Sequence, residues 1–234
     1  MSTLGIETLD RTSGGSTSEQ VYLALREAIV TAELRPGLKL SENELAGELG
    51  VSRTPVREAL ARLRDERLVA IVPQLGTFVT LISPAAVADA EFVREALECA
   101  AVTRAVPAMS HEDLEALQWN LAAQEQAQAL RDDRAFDRLD EELHRRICDS
   151  SGHTIAWALS RRANGHLDRI RRLSLPDPGY ISEMLKEHRR IVAAVAAGDA
   201  GAAEAALRHH LRMVPSSLPR LQALYPDYFE DASA

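Results

Sequence analysis

Aromatic residues and cysteines are scarce in this chain, and long apolar runs are missing from it. Only 4% of the 234 residues are aromatic, so the core must be aliphatic, and we expect it to be mainly helical. Cys99 and Cys148 are the only cysteines; both fall within helical patterns, which favours two buried reduced thiols over a disulfide. No apolar run approaches a membrane span, and the N-terminus lacks a basic segment followed by an apolar one. These absences predict a cytoplasmic protein.

The chain also lacks an excess of basic charge. Its formal net charge is −8, which at first argues against nucleic acid as a partner. Residues 1–80 are slightly acidic as well, but residues 52–67 hold five Arg against three acidic residues. A basic segment this local is typical of a regulator that must release DNA, rather than of a protein that packs chromatin.

Residues 41–68 predict two short helices joined by a tight turn. Ser41 and Glu44 have the spacing of a capping box at the start of the first helix. Gly50 stands where a residue just past a helix end is expected. Ser52 can cap the second helix, and Pro55 falls in its first turn, where no backbone N–H is needed.

The second of these helices carries its arginines on one side. At 100° per residue, Arg53, Arg57 and Arg64 lie within about 40° of one another, away from the apolar face. Guanidinium groups at the exposed start of a short helix suit recognition of guanine and phosphate in a DNA major groove. The alternative is an ordinary helical hairpin with a solvated charged face.

The surrounding pattern predicts a winged helix-turn-helix. A helical stripe runs over residues 18–34, a short strand is expected at 38–40, and β-prone stretches at 68–72 and 77–80 flank a turn. Residues 36–69, PGLKLSENELAGELGVSRTPVREALARLRDERLV, and residues 74–79, QLGTFV, resemble the DNA-binding domain of the GntR family of bacterial transcription regulators.

This resemblance implies specific DNA contacts. It places Arg53, Thr54 and Arg57 at bases and phosphates of the major groove, and the wing tip near Gly76 in the minor groove. Asn43 departs from many relatives, which have an Arg that touches DNA at this position. The wing tip, residues 73–76, has no Arg or Lys, so we expect its electrostatic attraction to DNA phosphates to be weaker than usual. The predicted DNA-binding residues are Asn43, Ser52, Arg53, Thr54, Arg57 and Gly76.

The rest of the chain predicts a second, helical domain. Residues 1–17 are expected to be disordered, 18–80 to form the winged helix-turn-helix and 81–85 the linker. Residues 86–214 contain almost only helical patterns, whose breaks give six helices, or seven if the first is split. The tail, residues 215–234, has no assigned role. The predicted fold class is mainly α, a winged helix-turn-helix followed by an all-helical bundle.

Four polar residues interrupt apolar stripes of the second domain. Asp140 and His144 are four apart on one helix face, while His188 and His210 stand on the apolar stripes of the last two helices. A turn at residues 198–199 would make those two helices antiparallel and bring their histidines to the same height. Three imidazoles and a carboxylate could then converge and hold Zn²⁺, Ni²⁺, Mn²⁺ or Fe²⁺. Alternatively, each histidine is satisfied separately.

These residues also resemble the FCD effector domain of the FadR subfamily of GntR regulators. The resemblance implies a metal site, most often zinc, at Asp140, His144, His188 and His210. It also implies that Arg94 is a cation that binds a carboxylate effector; a surface Arg paired with Glu98 is the alternative. His209 points about 100° away from the stripe and is expected on the surface. His153 stands where relatives usually have Asn, and we expect a helix-cap role for it.

The function that follows is a homodimeric transcription regulator, which we expect to be a repressor rather than an enzyme. It would bind a near-palindromic operator and respond to a small organic acid at the metal. One alternative is a metal-dependent hydrolase, but the sequence has no HExxH helix, GxSxG, P-loop or glycine-rich dinucleotide motif. Another is a sensor in which the metal itself is the signal.

Overall fold

The computed structural model of this chain describes Ile6 and residues 15–230, and it divides into two compact units. Residues 1–87 and 219–234 form the first unit, and residues 88–218 form the second. The predicted disorder of residues 1–17 falls mostly outside the described residues. Within that range, Ile6 is buried in the core of the first unit.

The first unit is a winged helix-turn-helix, as predicted. Strand β3 lies between β1 and β2 and is antiparallel to both. The elements, in chain order, are α1 (Thr17–Val30), β1 (Lys39–Leu40), α2 (Glu42–Leu49), α3 (Arg53–Asp65), β2 (Val69–Val72) and β3 (Gly76–Val79). The apolar face of α3 is fully buried in the core, through Val56, Ala59 and Leu63.

The signals at the helix ends explain the turn between α2 and α3. The Ser41 hydroxyl accepts a hydrogen bond from the Glu44 N–H at 3.4 Å, but the described residues do not form the reciprocal bond of a full capping box. Gly50 ends α2 in the left-handed conformation, with φ of +65°, which costs glycine no steric strain. The chain can therefore reverse sharply and start α3 at Arg53, after only Val51 and Ser52.

The end of the chain returns to the first unit, which the sequence did not indicate. After α12 (Leu218–Leu224) and a 3-10 turn (Pro226–Tyr228), the Ile82 N–H donates to the Tyr228 carbonyl at 2.8 Å. The Glu230 N–H then donates to the Ile82 carbonyl at 3.0 Å. Phe229 is buried between these bonds. The C-terminal residues thus hold the segment that follows the wing.

The second unit is helical throughout its described residues. The predicted set of six or seven helices is seven up to residue 211, but the extra break falls at Asn164 and not in the first helix. No helix in the described part of the chain is long and apolar enough to cross a membrane. The helices are α4 (Pro84–Ala108), α5 (His111–Leu130), α6 (Asp133–Ser150), α7 (Ile155–Ala163), α8 (Gly165–Ser174), α9 (Pro178–Ala196), α10 (Ala200–Leu211) and α11 (Met213–Ser216).

Candidate nucleic-acid interface and metal centre

The start of α3 presents two exposed guanidinium groups. The side chain of Arg53 is 58% exposed and that of Arg57 is 64% exposed. Ser52 occupies the N-cap position, but its hydroxyl accepts no hydrogen bond from the helix backbone, and the first turn holds no acidic residue. Thr54 is exposed beside them. This helix start offers positive charge, N–H groups and hydroxyls to solvent, which is the chemistry that phosphate and guanine require.

One carboxylate, Glu42 at the start of α2, holds both arginines. Arg53 donates to Glu42 at 3.1 Å, and Arg57 donates to it twice, at 3.0 and 3.3 Å. The hydrogen bond from Arg57 is the main cause that lowers the pKa of Glu42. The carboxylate keeps the two guanidinium groups side by side. Because exposed ion pairs contribute little energy, phosphate or guanine can replace it as the partner.

The other two predicted DNA contacts also lie at the surface of the first unit. Asn43 is exposed in the first turn of α2. Gly76 begins β3 at the wing tip, with a φ of +122° that other residues rarely adopt. Five of the six predicted DNA contacts are exposed and Gly76 is partly exposed; their contacts with DNA stay predictions.

In the second unit, the structure brings Asp140, His144, His188 and His210 together; we call them the Asp-His cluster. All four residues are buried. Helix α6 carries the first two, α9 carries His188, and α10 carries His210. His210 Nε2 lies 3.1 Å from His144 Nε2 and 3.3 Å from His188 Nε2. Asp140 Oδ1 lies 3.3 Å from His188 Nε2 and 4.0 Å from His144 Nε2.

These separations suit four ligands around one ion. One ligand atom from each member lies within 4.8 Å of the others. Two nitrogen ligands about 2.1 Å from a common ion would be about 3.0 Å apart at a right angle and about 3.4 Å apart at a tetrahedral angle. The shortest nitrogen–nitrogen distances in the Asp-His cluster, 3.1 and 3.3 Å, fall in this range.

Neighbours of the Asp-His cluster decide which ring nitrogens carry protons. His144 Nδ1 lies 2.7 Å from a carboxylate oxygen of Glu98, and His188 Nδ1 lies 2.6 Å from Gln124 Oε1. The Gln124 amide is oriented by its own donation to Asn120 at 2.8 Å. Because a carboxylate oxygen and an amide oxygen can only accept, we assign the proton of each ring to Nδ1. The Nε2 atoms of His144 and His188 then direct lone pairs at the centre of the cluster.

At the centre of the Asp-His cluster, hydrogen-bond acceptors therefore outnumber the protons that could be donated to them. Burial alone would raise the pKa of Asp140, but Arg171, which donates to its Oδ2 at 2.8 Å, and His188 hold that pKa well below its usual value. Burial lowers the pKa of both His188 and His210 and favours neutral rings. His210 Nδ1 has no hydrogen-bond partner among the described residues, so His210 supplies at most one proton. Arg171 neutralises one oxygen of Asp140, while its Oδ1 has no hydrogen-bond partner among the described residues and faces the converging lone pairs, so the residues present fit a divalent metal.

Arg94, the predicted effector contact, lies one layer behind His144. It is buried, and its guanidinium donates to Glu98 at 2.7 and 3.4 Å. The alternative pairing with Glu98 is thus present, but in the interior and not on the surface. Burial alone would raise the pKa of Glu98; Arg94 and then His144 outweigh it and hold the pKa at about 2. Arg94 therefore acts on the Asp-His cluster through an ionised Glu98.

Sequence reasoning missed the residues that orient the cluster, which are Glu98, Gln124 and Arg171. One usable signal was Gln124, a large polar residue on the buried side of α5. A second was the high content of charged residues in α8, a helix that the structure buries over most of its length. His209 has a side chain that is 68% exposed, and His153 is exposed as well. Neither belongs to the Asp-His cluster.

Both units match known protein families. Residues 17–79 match the model described as bacterial regulatory proteins, gntR family, and residues 89–213 match the FCD domain. An uncharacterized HTH-type transcriptional regulator in an unstable DNA locus of Streptomyces ambofaciens is 40% identical over 96% of this chain and 94% of its own. The HTH-type transcriptional repressor RspR of Escherichia coli K12 is 31% identical over 92% of this chain and 94% of its own. These matches are transcriptional regulators, not enzymes.

Solved structures have the same fold. McbR/YncC of E. coli superposes with a TM-score of 0.75 at 24% identity, over 92% of this chain and 99% of its own. A putative GntR transcriptional regulator from Rhodococcus sp. RHA1 superposes with a TM-score of 0.73 at 26% identity, over 88% of this chain and 99% of its own. These proteins therefore share the fold of this chain.

Proposed function

Because the chain belongs to the GntR family of bacterial regulatory proteins and carries an FCD domain, we propose that it is a regulator whose DNA binding responds to a small organic acid. Two copies form a homodimer, and α3 of each enters the major groove of a near-palindromic operator. The protein acts in the cytoplasm, where a bacterial operator lies. One relative is named a repressor, and we propose repression here too.

The DNA-binding half of the proposal is supported by the start of α3. Arg53 and Arg57 are exposed, adjacent and already held in parallel by a carboxylate. Each can exchange that carboxylate for a guanine edge or a phosphate oxygen, because all three accept two hydrogen bonds in similar geometry. Ser52 and Thr54 stand beside this pair at the start of α3, and Asn43 and Gly76 complete the proposed set of DNA contacts.

The observation that carries the effector half is the convergence of the Asp-His cluster in a buried space. Zinc is the proposed ion, and nickel, manganese and iron also accept this ligand set. A bound ion with five or six coordination positions would offer its remaining positions to carboxylate oxygens of the effector. Arg94, paired with Glu98 behind His144, adds positive charge to the surroundings of the Asp-His cluster and is the proposed second contact of the effector carboxylate.

Titrations with DNA test the first half. A duplex recovered by selection from a random library serves as the probe in fluorescence anisotropy. We expect Arg57→Ala to weaken binding to this duplex by about 5-fold to 150-fold per bound subunit, the value of one bidentate base contact, and to weaken binding to random duplex much less. Arg189→Ala is the charge control, because Arg189 is an exposed arginine of the second unit. Equal affinity of Arg57→Ala and wild type for the selected duplex would contradict the proposal.

Titrations with metal and acids test the second half. The same anisotropy assay compares chelated protein, zinc-loaded protein, and zinc-loaded protein with a panel of small di- and tricarboxylic acids. We expect the affinity for the selected duplex to change when an acid is added to the zinc-loaded protein. A response to zinc alone, with none to any acid, would favour the alternative in which the metal is the signal.

A further inference from the structure

The wing tip of this protein lacks a positive charge of its own, but a lysine from another strand lies against it. Residues 73–76 include no Arg or Lys, although wings commonly grip the DNA backbone by charge. Strand β1 pairs with β3, the second wing strand, and places Lys39 opposite Phe78. Lys39 is exposed.

The Lys39 side chain passes over the Cα position of Gly76. A Cβ atom built on Gly76 would lie 3.0 Å from Lys39 Cε and 3.7 Å from its Nζ. The same ammonium group lies 5.9 Å from the centre of the Phe78 ring. The absence of a side chain at Gly76 thus leaves the space in which the lysine chain lies, and the ammonium group reaches the wing tip.

The charge of Lys39 is available for a ligand. Unlike Arg53 and Arg57, which share Glu42, Lys39 has no acidic partner in the described part of the chain. Its contact with the Phe78 ring is near the outer limit for a cation–π interaction, which in an exposed position contributes little. An ammonium group is a compact point charge, so the partner that suits it is a phosphate oxygen and not the paired acceptors of a base edge.

We propose that Lys39 supplies the phosphate contact of the wing, and that Gly76 serves this contact by leaving room for the lysine side chain. The proposal rests on the DNA-binding function proposed above. It assigns to β1, outside the helix-turn-helix, a residue that contributes affinity without sequence preference.

The salt dependence of DNA binding tests this assignment. Each phosphate contact contributes about 0.9 to the slope of log K against log salt concentration. We expect Lys39→Gln to lower that slope by about 0.9 per bound subunit and to weaken binding about 8-fold per subunit at 0.1 M salt. The loss should be equal for the selected duplex and for random duplex. Lys39→Arg should keep the wild-type slope.

The chain offers a matched control, because Lys186 is its only other lysine. It lies in the second unit, paired with Glu183, and Lys186→Gln should leave the slope unchanged. A wild-type slope in Lys39→Gln, with Arg57→Ala still defective, would overturn the assignment of Lys39 alone. If Arg57→Ala also bound like wild type, the DNA-binding surface itself would be wrong.

Discussion

Replacement of His210 by Ala is expected to abolish the stabilisation of this protein by zinc, whereas replacement of its neighbour His209 is not. His210 is 1% exposed, and its Nε2 lies 3.1 and 3.3 Å from two other ligand nitrogens. His209 is adjacent in the chain, but its side chain is 68% exposed and lies outside the Asp-His cluster. The two substitutions remove the same group from the same helix, so they form a matched pair.

The size of the effect follows from linkage. A ligand that binds only the folded state at 100 times its Kd stabilises that state by about 2.7 kcal/mol. At this chain length, each kcal/mol corresponds to a change in Tm of about 2–4 °C. We therefore expect zinc to raise the Tm of wild type and His209→Ala by about 5–10 °C, and that of His210→Ala by less than about 2 °C.

The assay is thermal unfolding of chelated protein with and without added zinc, together with metal content by mass spectrometry after dialysis. Without metal, His210→Ala should cost about 2–5 kcal/mol, because it removes a buried ring and the contacts of its Nε2 with His144 and His188. One equivalent of zinc in His210→Ala and a Tm increase equal to that of wild type would refute the assignment of this ligand.

Three further results are expected. The conservative change Glu98→Gln should weaken zinc binding about 10-fold to 100-fold by removing the carboxylate behind a ligating histidine; unchanged affinity in a competition titration would argue against that role. In chelated protein, burial lowers the pKa values of His188 and His210 in the folded state. As the pH falls below about 6.5, these two histidines therefore take up protons in the unfolded chain while they stay neutral in the folded one. The free energy of unfolding should therefore fall as the pH drops, by up to about 1.4 kcal/mol per pH unit for each histidine, and a flat profile of urea midpoints between pH 7.5 and 5.5 would contradict it. Phe229→Ala should destabilise the first unit by about 3 kcal/mol, seen as faster hydrogen exchange at the Ile82 amide, and wild-type exchange would show that the C-terminal segment contributes nothing.

Much of the fold was predictable because its signals are local. The recognition turn depends on Gly50, whose left-handed conformation no other residue adopts as cheaply. The break at Asn164 was missed although Asn164-Gly165 is a dipeptide typical of turns, because α8 begins directly after α7 with no loop between the two helices. The return of Phe229 to Ile82 was also missed, since a single pair of backbone hydrogen bonds between distant residues leaves no periodic pattern in the sequence.

In the candidate sites, too, the residues with local sequence signals were predictable and those placed by packing were not. Helical periodicity and the spacing around the Gly198 turn were enough to predict that His188 and His210 lie close together. The groups that orient the ligands could not be found like this, because Glu98 and Arg171 come from helices whose rotation is decided only by packing. The position of Lys39 against the wing tip likewise depends on strand pairing, which the short β1 segment does not encode by itself.

Anomalous diffraction from crystals grown with zinc, recorded on both sides of the zinc absorption edge, would show directly whether the Asp-His cluster binds an ion. We expect one strong peak in the second unit, about 2.0–2.3 Å from Asp140 Oδ1 and from the Nε2 atoms of His144, His188 and His210. Crystals in which zinc occupies surface positions while this cluster carries no anomalous signal would contradict this expectation.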